Sequence, residues 1–273
     1  MSSDLWIVTP VYNEERNLAA FVEEWMAVFR RVVGGNFTFC LLNDGSTDAS
    51  LKILSSLAAK YPEIKVIDKP NSGHGRTCVV GYQLAVEAGA RWIFNIDADG
   101  QCDSAYFEAF WKSRGDGRVH YGRRRAREDG WARRVISRVL SLVIFLLSGE
   151  WVRDANVPYR LMSLDALAGA LPFIPERFRQ ANAALTFLHH GHPGITWHDI
   201  PFRNRTGRQL PLDIGYFVKE SWRFIKDFLC LQWYFKAASL SQKIVLAGRM
   251  VLIIFAVYYL VAFLVVGFAM IFA

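Results

Sequence analysis

Residues Phe37–Lys60 read FTFCLLNDGSTDASLKILSSLAAK. The opening run, Phe37–Leu42, is apolar and short, as a strand buried on both faces requires. Asn43-Asp44-Gly45-Ser46-Thr47-Asp48 interrupts it with turn-forming polar residues, and Asp48–Lys60 continues as a helical pattern. The same unit recurs on either side. Leu5–Thr9, Ile64–Ile67 and Trp92–Ile96 read as further buried strands, and Glu15–Arg31 and Thr77–Ala88 as further helices. Strand and helix alternating in this way predict an α/β fold, a mainly parallel sheet covered on both faces. Ligands of such sheets sit beyond the C-terminal ends of the strands, and each polar motif below stands at one of those ends.

The rest of the chain is of another kind. Hydrophobic residues make up 52% of the 273 and aromatics 14%, more than most soluble domains carry. The excess is concentrated after Lys243 and ends in an uncharged run, Val251–Ala273. As a helix that run is roughly 35 Å long, enough to cross a hydrocarbon core of about 30 Å. A C-terminal transmembrane helix is therefore expected. Lys236, Lys243 and Arg249 precede it, which puts the large N-terminal part on the cytoplasmic side of the cell inner membrane, in an integral membrane protein. The opening MSSDLWIVTP does not read as a secretory leader. Four scattered cysteines without a CxxC pair fit reduced thiols. Val135–Leu147, headed by Arg133, Arg134 and Arg138, and Asp213–Phe235, mixing Lys and Arg with Trp, Phe and Tyr, suit interfacial helices. The expected divisions are 1–210 for the catalytic domain, 211–243 for amphipathic juxtamembrane helices and 244–273 for the span.

Asp97-Ala98-Asp99-Gly100-Gln101 follows a very apolar strand, Trp92–Ile96. Residues two apart on extended chain point the same way, so both carboxylates can face one volume. Paired anions repel unless a cation or a hydrogen-bond donor separates them, and Mg²⁺ or Mn²⁺ takes one or two carboxylates together with substrate phosphates. Asp97 and Asp99 are thus the candidate metal ligands. In NDGSTD, Ser46 or Thr47 can cap the helix, which leaves Asp44 to accept hydrogen bonds from a nucleoside. In Asn71-Ser72-Gly73-His74-Gly75-Arg76, Gly73 and Gly75 let backbone approach a ligand and the helix N-terminus favours an anion. The loop has neither GxGxxG spacing nor a Walker lysine. Gly122-Arg123-Arg124-Arg125-Ala126-Arg127-Glu128-Asp129 is the strongest basic cluster, and it follows a short strand, Val119–Tyr121. Its guanidiniums suit phosphates at a membrane surface. Arg203 and Arg205 add a second cationic group. The net charge of +7 is compatible with nucleic acid, anionic membrane or a phosphorylated substrate.

The ordered set resembles the inverting glycosyltransferases of family 2, which have the GT-A fold. Thr9-Pro10-Val11-Tyr12-Asn13-Glu14-Glu15 looks like the first strand and nucleotide loop, NDGSTD like the base-binding loop, NSGHG like the glycine loop, and DADGQ like the metal motif. The match runs over roughly residues 4 to 210. Within the family, the chain is similar to polyprenyl-phosphate glycosyltransferases such as those acting on dolichyl or undecaprenyl phosphate. That resemblance rests on GRRRARED, Trp131–Ser137, Asp154-Ala155-Asn156-Val157-Pro158-Tyr159-Arg160 and Arg203-Asn204-Arg205-Thr206-Gly207. It implies nucleotide contacts from Pro10, Tyr12, Asn13, Glu14, Asp44, Gly73, Gly75, Asp97 and Ala98. It also implies an acceptor-phosphate group of Arg124, Arg127, Arg134, Ser137 and Arg205. A Gln-x-x-Arg-Trp motif is missing, which argues against a processive polysaccharide synthase. Relatives often carry two or more C-terminal spans, where one is visible here.

The implied reaction is a single displacement from a UDP- or GDP-linked sugar to a polyprenyl phosphate, with Asp97, Asp99 and Arg124 in the catalytic group. A lipid monophosphate is mostly dianionic at pH 7 and needs orientation more than deprotonation. Transfer to a hydroxyl of a lipid-linked sugar or other glycan is the alternative, and it would need a base, for which Asp154 is the candidate. A membrane-tethered binding protein without catalysis is the rival of another class. No nucleic-acid partner is expected, and a homo-oligomer is compatible with the sequence.

Overall fold

Strand β1 (Leu5–Val11) is buried at every position because it lies inside the sheet, hydrogen-bonded on both sides. The computed structural model describes residues 3–124, 145, 156–174, 179–191, 194–203, 223, 226 and 227. β1 pairs in parallel with β2 (Phe37–Asp44) and β4 (Trp92–Asn95), and β2 with β3 (Ile64–Lys69). Three further strands, β5 (Val119–Arg124), β6 (Arg160–Ser163) and β7 (Thr196–Ile200), complete a seven-stranded sheet of order β3-β2-β1-β4-β6-β5-β7. β6 is antiparallel to both neighbours, while β5 and β7 are parallel to each other. β5 and β7 therefore run with β1 to β4, and six of the seven strands end at one edge.

Helix α1 (Leu18–Val32) buries Leu18, Phe21, Val22, Trp25, Met26 and Phe29, the three- and four-residue spacing of one helical face. Trp25 and Phe29 meet Phe94 and Phe107 of α4 (Phe107–Lys112), with centroids 5.0 to 6.3 Å apart. Removing either side chain would cost about 3–5 kcal/mol, the range for large aromatics in a packed core. α2 (Ser50–Lys60) packs beside α1. On the opposite face α3 (His74–Glu87) crosses β1 at Gly81, where a Cβ would stand 2.4 Å from Val8. α5 (Leu164–Ala170) and α6 (Ala181–Gly191) pack with α3. The expectation of a mainly parallel α/β sheet covered on both faces holds.

The ends differ in detail. β2 and β3 run two residues further than the apolar residues alone suggest, because Asp44 and Lys69 continue the ladder as a paired position. β5 continues through Gly122, Arg123 and Arg124 instead of stopping at Tyr121, so the basic cluster begins inside a strand. α3 starts at His74, inside the stretch read as a glycine loop. Among the described residues no helix is long and apolar enough to cross a membrane. The expected span, and both proposed interfacial helices except the helical positions Phe145, Arg223, Lys226 and Asp227, lie outside the described residues.

Candidate active site

The chain order places β2 and β3 on one side of β1 and β4 on the other. Such a switch point opens a crevice at the strand ends. Pairing of β1 with β2 runs to Val11, but pairing with β4 stops at Val8 and Asn95, so the two strands part where the crevice begins. Pro10 lies in this parted stretch, where a missing N–H costs the ladder least.

Hydrogen bonds join the four loops at this edge in sequence. Asn13 is the non-glycine residue with positive φ (54°) among those described, a conformation asparagine tolerates. Its Oδ1 accepts from the Thr47 N–H at 2.8 Å, and its own N–H donates to Ser46 Oγ at 3.1 Å. Glu15 and Asp48 cross-link the same two loops, each carboxylate accepting a backbone N–H from the other's segment at 3.0 and 3.1 Å. Ser46 and Thr47 are thus spent on the first loop and do not cap α2. Asp48 accepts the Ser50 N–H at 2.9 Å instead. Gly45 (φ +66°) could not be another residue, since a Cβ would also lie 2.7 Å from the Asn71 nitrogen.

Asp44 is buried, and its carboxylate accepts from the N–H groups of Ser72 (2.8 Å) and Gly73 (2.9 Å) and from the Lys69 ammonium. Lys69 also donates to Ser72 Oγ at 2.6 Å and Thr77 Oγ1 at 3.0 Å. Burial pushes the Asp44 pKa up, but the hydrogen bonds from Lys69 and Ser72 outweigh it and hold the carboxyl below its ordinary range. The anion at the mouth of the glycine loop is therefore this side chain. One residue further on, His74 Nε2 lies 2.9 Å from Asp97 Oδ1. Asp44 and Asp97 are thus linked through consecutive residues, Gly73 and His74.

Asp97 and Asp99 follow β4, both part-exposed, and Asp99 Oδ1 accepts the Gln101 N–H at 3.1 Å. Among the described residues no group of three or more His, Cys, Asp or Glu could hold a metal by itself. Two neighbouring carboxylates suit a Mg²⁺ or Mn²⁺ that draws its other oxygens from phosphates and water. The donor set fits that kind of ion.

Tyr12 stands 49% exposed just past β1, while Ala98 is buried. Gly75 is the second residue of α3. A Cβ there would lie 1.8 Å from the Arg179 carbonyl, so its missing side chain lets α3 and the start of α6 touch. Arg124 closes β5 opposite Ile200. Arg203 is not an available cation, because its guanidinium is held by Glu24 (3.0 Å) and Asp103 (2.8 Å). With the Arg203 N–H on the Gln101 carbonyl at 2.9 Å and the Cys102–Phe202 bridge, it fastens the end of β7 to the DADGQ loop. Arg127, Arg134, Ser137, Asp154 and Arg205 lie outside the described residues.

Sequence reasoning missed three contributors. Lys69 carried one signal, an opposite charge in register with Asp44 on the neighbouring strand. His74 carried none beyond its place in the loop. The third is a buried polar network behind β4. Arg160 donates to the carbonyls of Val157 and Asn182, both at 2.6 Å, and lies over the Tyr121 ring. Asn182 in turn bonds Tyr82 at 2.8 Å and Asn95 at 3.3 Å.

Comparisons with known proteins bear on this arrangement. The family profile described as "Glycosyl transferase family 2" matches residues 6–168. The chain is 30% identical over 152 residues to the undecaprenyl-phosphate 4-deoxy-4-formamido-L-arabinose transferase of Pectobacterium carotovorum subsp. carotovorum, covering 54% of this chain and 45% of that protein. It is 30% identical over 106 residues to a dolichyl-phosphate beta-glucosyltransferase of Trichomonas vaginalis, covering 37% of this chain and 31% of that protein. Each match thus spans less than half of the relative's length. Among solved structures, glucosyl-3-phosphoglycerate synthase of Mycobacterium tuberculosis, with Mn²⁺, UDP-glucose and phosphoglyceric acid bound, superposes with a TM-score of 0.62. Its identity is 16%, covering 84% of this chain and 79% of that one. S. aureus TarS 1-349 gives 0.52 at 14% identity, covering 92% and 80%. These likenesses show the fold, which is GT-A-like.

Proposed function

This chain belongs to glycosyl transferase family 2, and from that premise we propose that it is an inverting transferase moving a sugar from a UDP- or GDP-linked donor to a polyprenyl phosphate at a membrane. The observation that carries the reading is the convergence, at one sheet edge, of the loops after β1 to β4, with Asp97 bonded to His74 of the glycine stretch at the β1/β4 crevice. Names of relatives support the acceptor class. We assign the nucleoside base to Tyr12, whose ring is exposed, with Pro10, Asn13, Glu14, Asp44, Gly73, Gly75, Asp97 and Ala98 as the further nucleotide contacts. Asp99, with Asp97, would hold a Mg²⁺ or Mn²⁺, which when bound offsets charge on the departing diphosphate.

Topology supports the acceptor assignment. β5 ends, and β6 begins, at the edge that carries Asp97. β7 ends there too, and Arg203 holds that end beside Gln101. Arg124, Arg127, Arg134, Ser137 and Arg205 are accordingly assigned to the acceptor phosphate, which they orient by charge-assisted hydrogen bonds. The phosphate dianion attacks the anomeric carbon as the bond to the nucleoside diphosphate breaks. No base is required, and Asp154 would serve as one only for a hydroxyl acceptor. The apolar run Val251–Ala273 supports membrane anchoring with the catalytic part on the cytoplasmic side.

The test is incubation of the full chain with labelled UDP-glucose, UDP-GlcNAc or GDP-mannose and undecaprenyl phosphate, followed by organic extraction. Acid-labile label in the organic phase is the expected result. Label appearing only on a glycan hydroxyl would replace the acceptor assignment.

A further inference from the structure

His74 opens α3 with its side chain 47% exposed, and its Nε2 lies 2.9 Å from Asp97 Oδ1. An ionised carboxylate only accepts, so Nε2 is the donor in this bond. The other ring nitrogen, Nδ1, lies 3.9 Å from the sulfur of Cys78, which sits one turn along α3 and is fully buried. The ring is therefore gripped at both nitrogens, by a core residue on one side and by the acidic motif on the other. The backbone before it is fixed as well, since the Gly73 N–H donates to Asp44. Behind it, Gly75 is pressed against Arg179. A histidine so anchored on three sides has little freedom, and the carboxylate it holds shares that restriction. Partners of this kind on metal-binding carboxylates and imidazoles set ligand orientation, and their loss costs about 10–100-fold in metal affinity.

We propose that His74 is a positioning residue for the nucleotide–metal complex: it holds the Asp97 carboxylate in the orientation that a divalent cation and the donor diphosphate require, and ties that carboxylate to the Asp44-anchored glycine loop. The inference rests on the donor-site reading above and adds to it a residue outside the acidic motif. His74 touches no reacting atom in this role. It acts through Asp97, and Cys78 acts through His74.

The test uses binding, with the full-length chain in detergent and UDP or GDP as probe. Affinity is measured by calorimetry with and without Mn²⁺, on the wild type, Asp99→Ala, His74→Ala and His74→Gln. His74→Ala is expected to weaken Mn²⁺-dependent nucleotide binding about tenfold or more. Its metal-free binding and thermal midpoint should stay close to wild type. His74→Gln, which keeps a donor facing Asp97, should recover most of the loss. Manganese affinity read by electron paramagnetic resonance should follow the same order. Unchanged Mn²⁺-dependent affinity in His74→Ala would overturn the proposal, and so would an equal loss with and without metal, because a merely structural residue behaves in that way. If the wild type gains nothing from Mn²⁺ with either nucleotide, the donor-site reading falls and this inference with it. If wild type gains and Asp99→Ala does not while His74→Ala matches wild type, only the inference falls.

Discussion

At the residue scale, Asp44 separates what a motif suggests from what a side chain does. The NDGSTD stretch offered it no structural task, whereas in the fold its carboxylate anchors Lys69, Ser72 and Gly73. Asp44→Asn leaves the part-buried Lys69 without its anionic partner, and losing a hydrogen bond to a charged group of this kind costs about 1.5–3 kcal/mol. The urea midpoint of the variant should fall accordingly. The pH dependence has a defined sign. Because the folded carboxyl titrates below its unfolded value, its contribution is complete above about pH 4 and is lost as pH falls through the depressed folded value. Comparing denaturation below pH 4 should show a shallower acid slope in Asp44→Asn than in wild type. Asp99→Ala belongs to the same scale but reads differently. Label transfer to lipid should drop by two or more orders of magnitude, on the order expected when transition-state charge stabilisation is lost, with the circular dichroism unchanged. Transfer at the wild-type rate would remove Asp99 from the reaction.

At the element scale, α3 connects more of the site than any other helix. It begins at His74, lies against β1 through Gly81 and meets the start of α6 through Gly75. In Gly75→Ala the new Cβ collides with backbone, so the two helices must separate. A loss of about 2 kcal/mol or more is expected, within the range of overpacked core sites, and the thermal midpoint measures it. β1 to β4 and α1 to α3 were legible because each carries its own apolar run or periodicity. β6, β7, α5 and α6 were not. β6 has four residues and α5 seven, too short for a pattern to separate them from loops, and β7 carries Trp197, His198 and Asp199 in a half-exposed setting. Their structure comes from the neighbours they pair with.

At the scale of the whole molecule, the buried network behind β4 links β4, β5 and β6 with α3, α5 and α6. His189 on α6 accepts from Tyr121 at Nδ1 (2.8 Å) and donates from Nε2 to the Ala166 carbonyl (3.1 Å). Burial lowers its pKa to about 4. The unfolded histidine binds its proton near pH 6.5, so the fold loses stability as pH falls from about 6.5 towards 4, by roughly 3 kcal/mol at the end of that window. Urea midpoints between pH 7 and 4.5 should decline steeply in wild type and less so in His189→Gln. Equal slopes would show that His189 is not held neutral. Asp44 acts below this window, so the two effects separate along the pH axis. By itself the sequence determined the α/β class, the family resemblance and the acidic pair after the fourth strand, because burial runs, helical periodicity and two-residue spacing are local properties of a chain. Only the tertiary structure decided that Asp44 answers to Lys69 and Asp97 to His74, that Arg203 is a brace, and that β5 ends and β6 begins at the edge bearing Asp97. Those facts depend on strand order and register, which bring together residues that no local pattern relates.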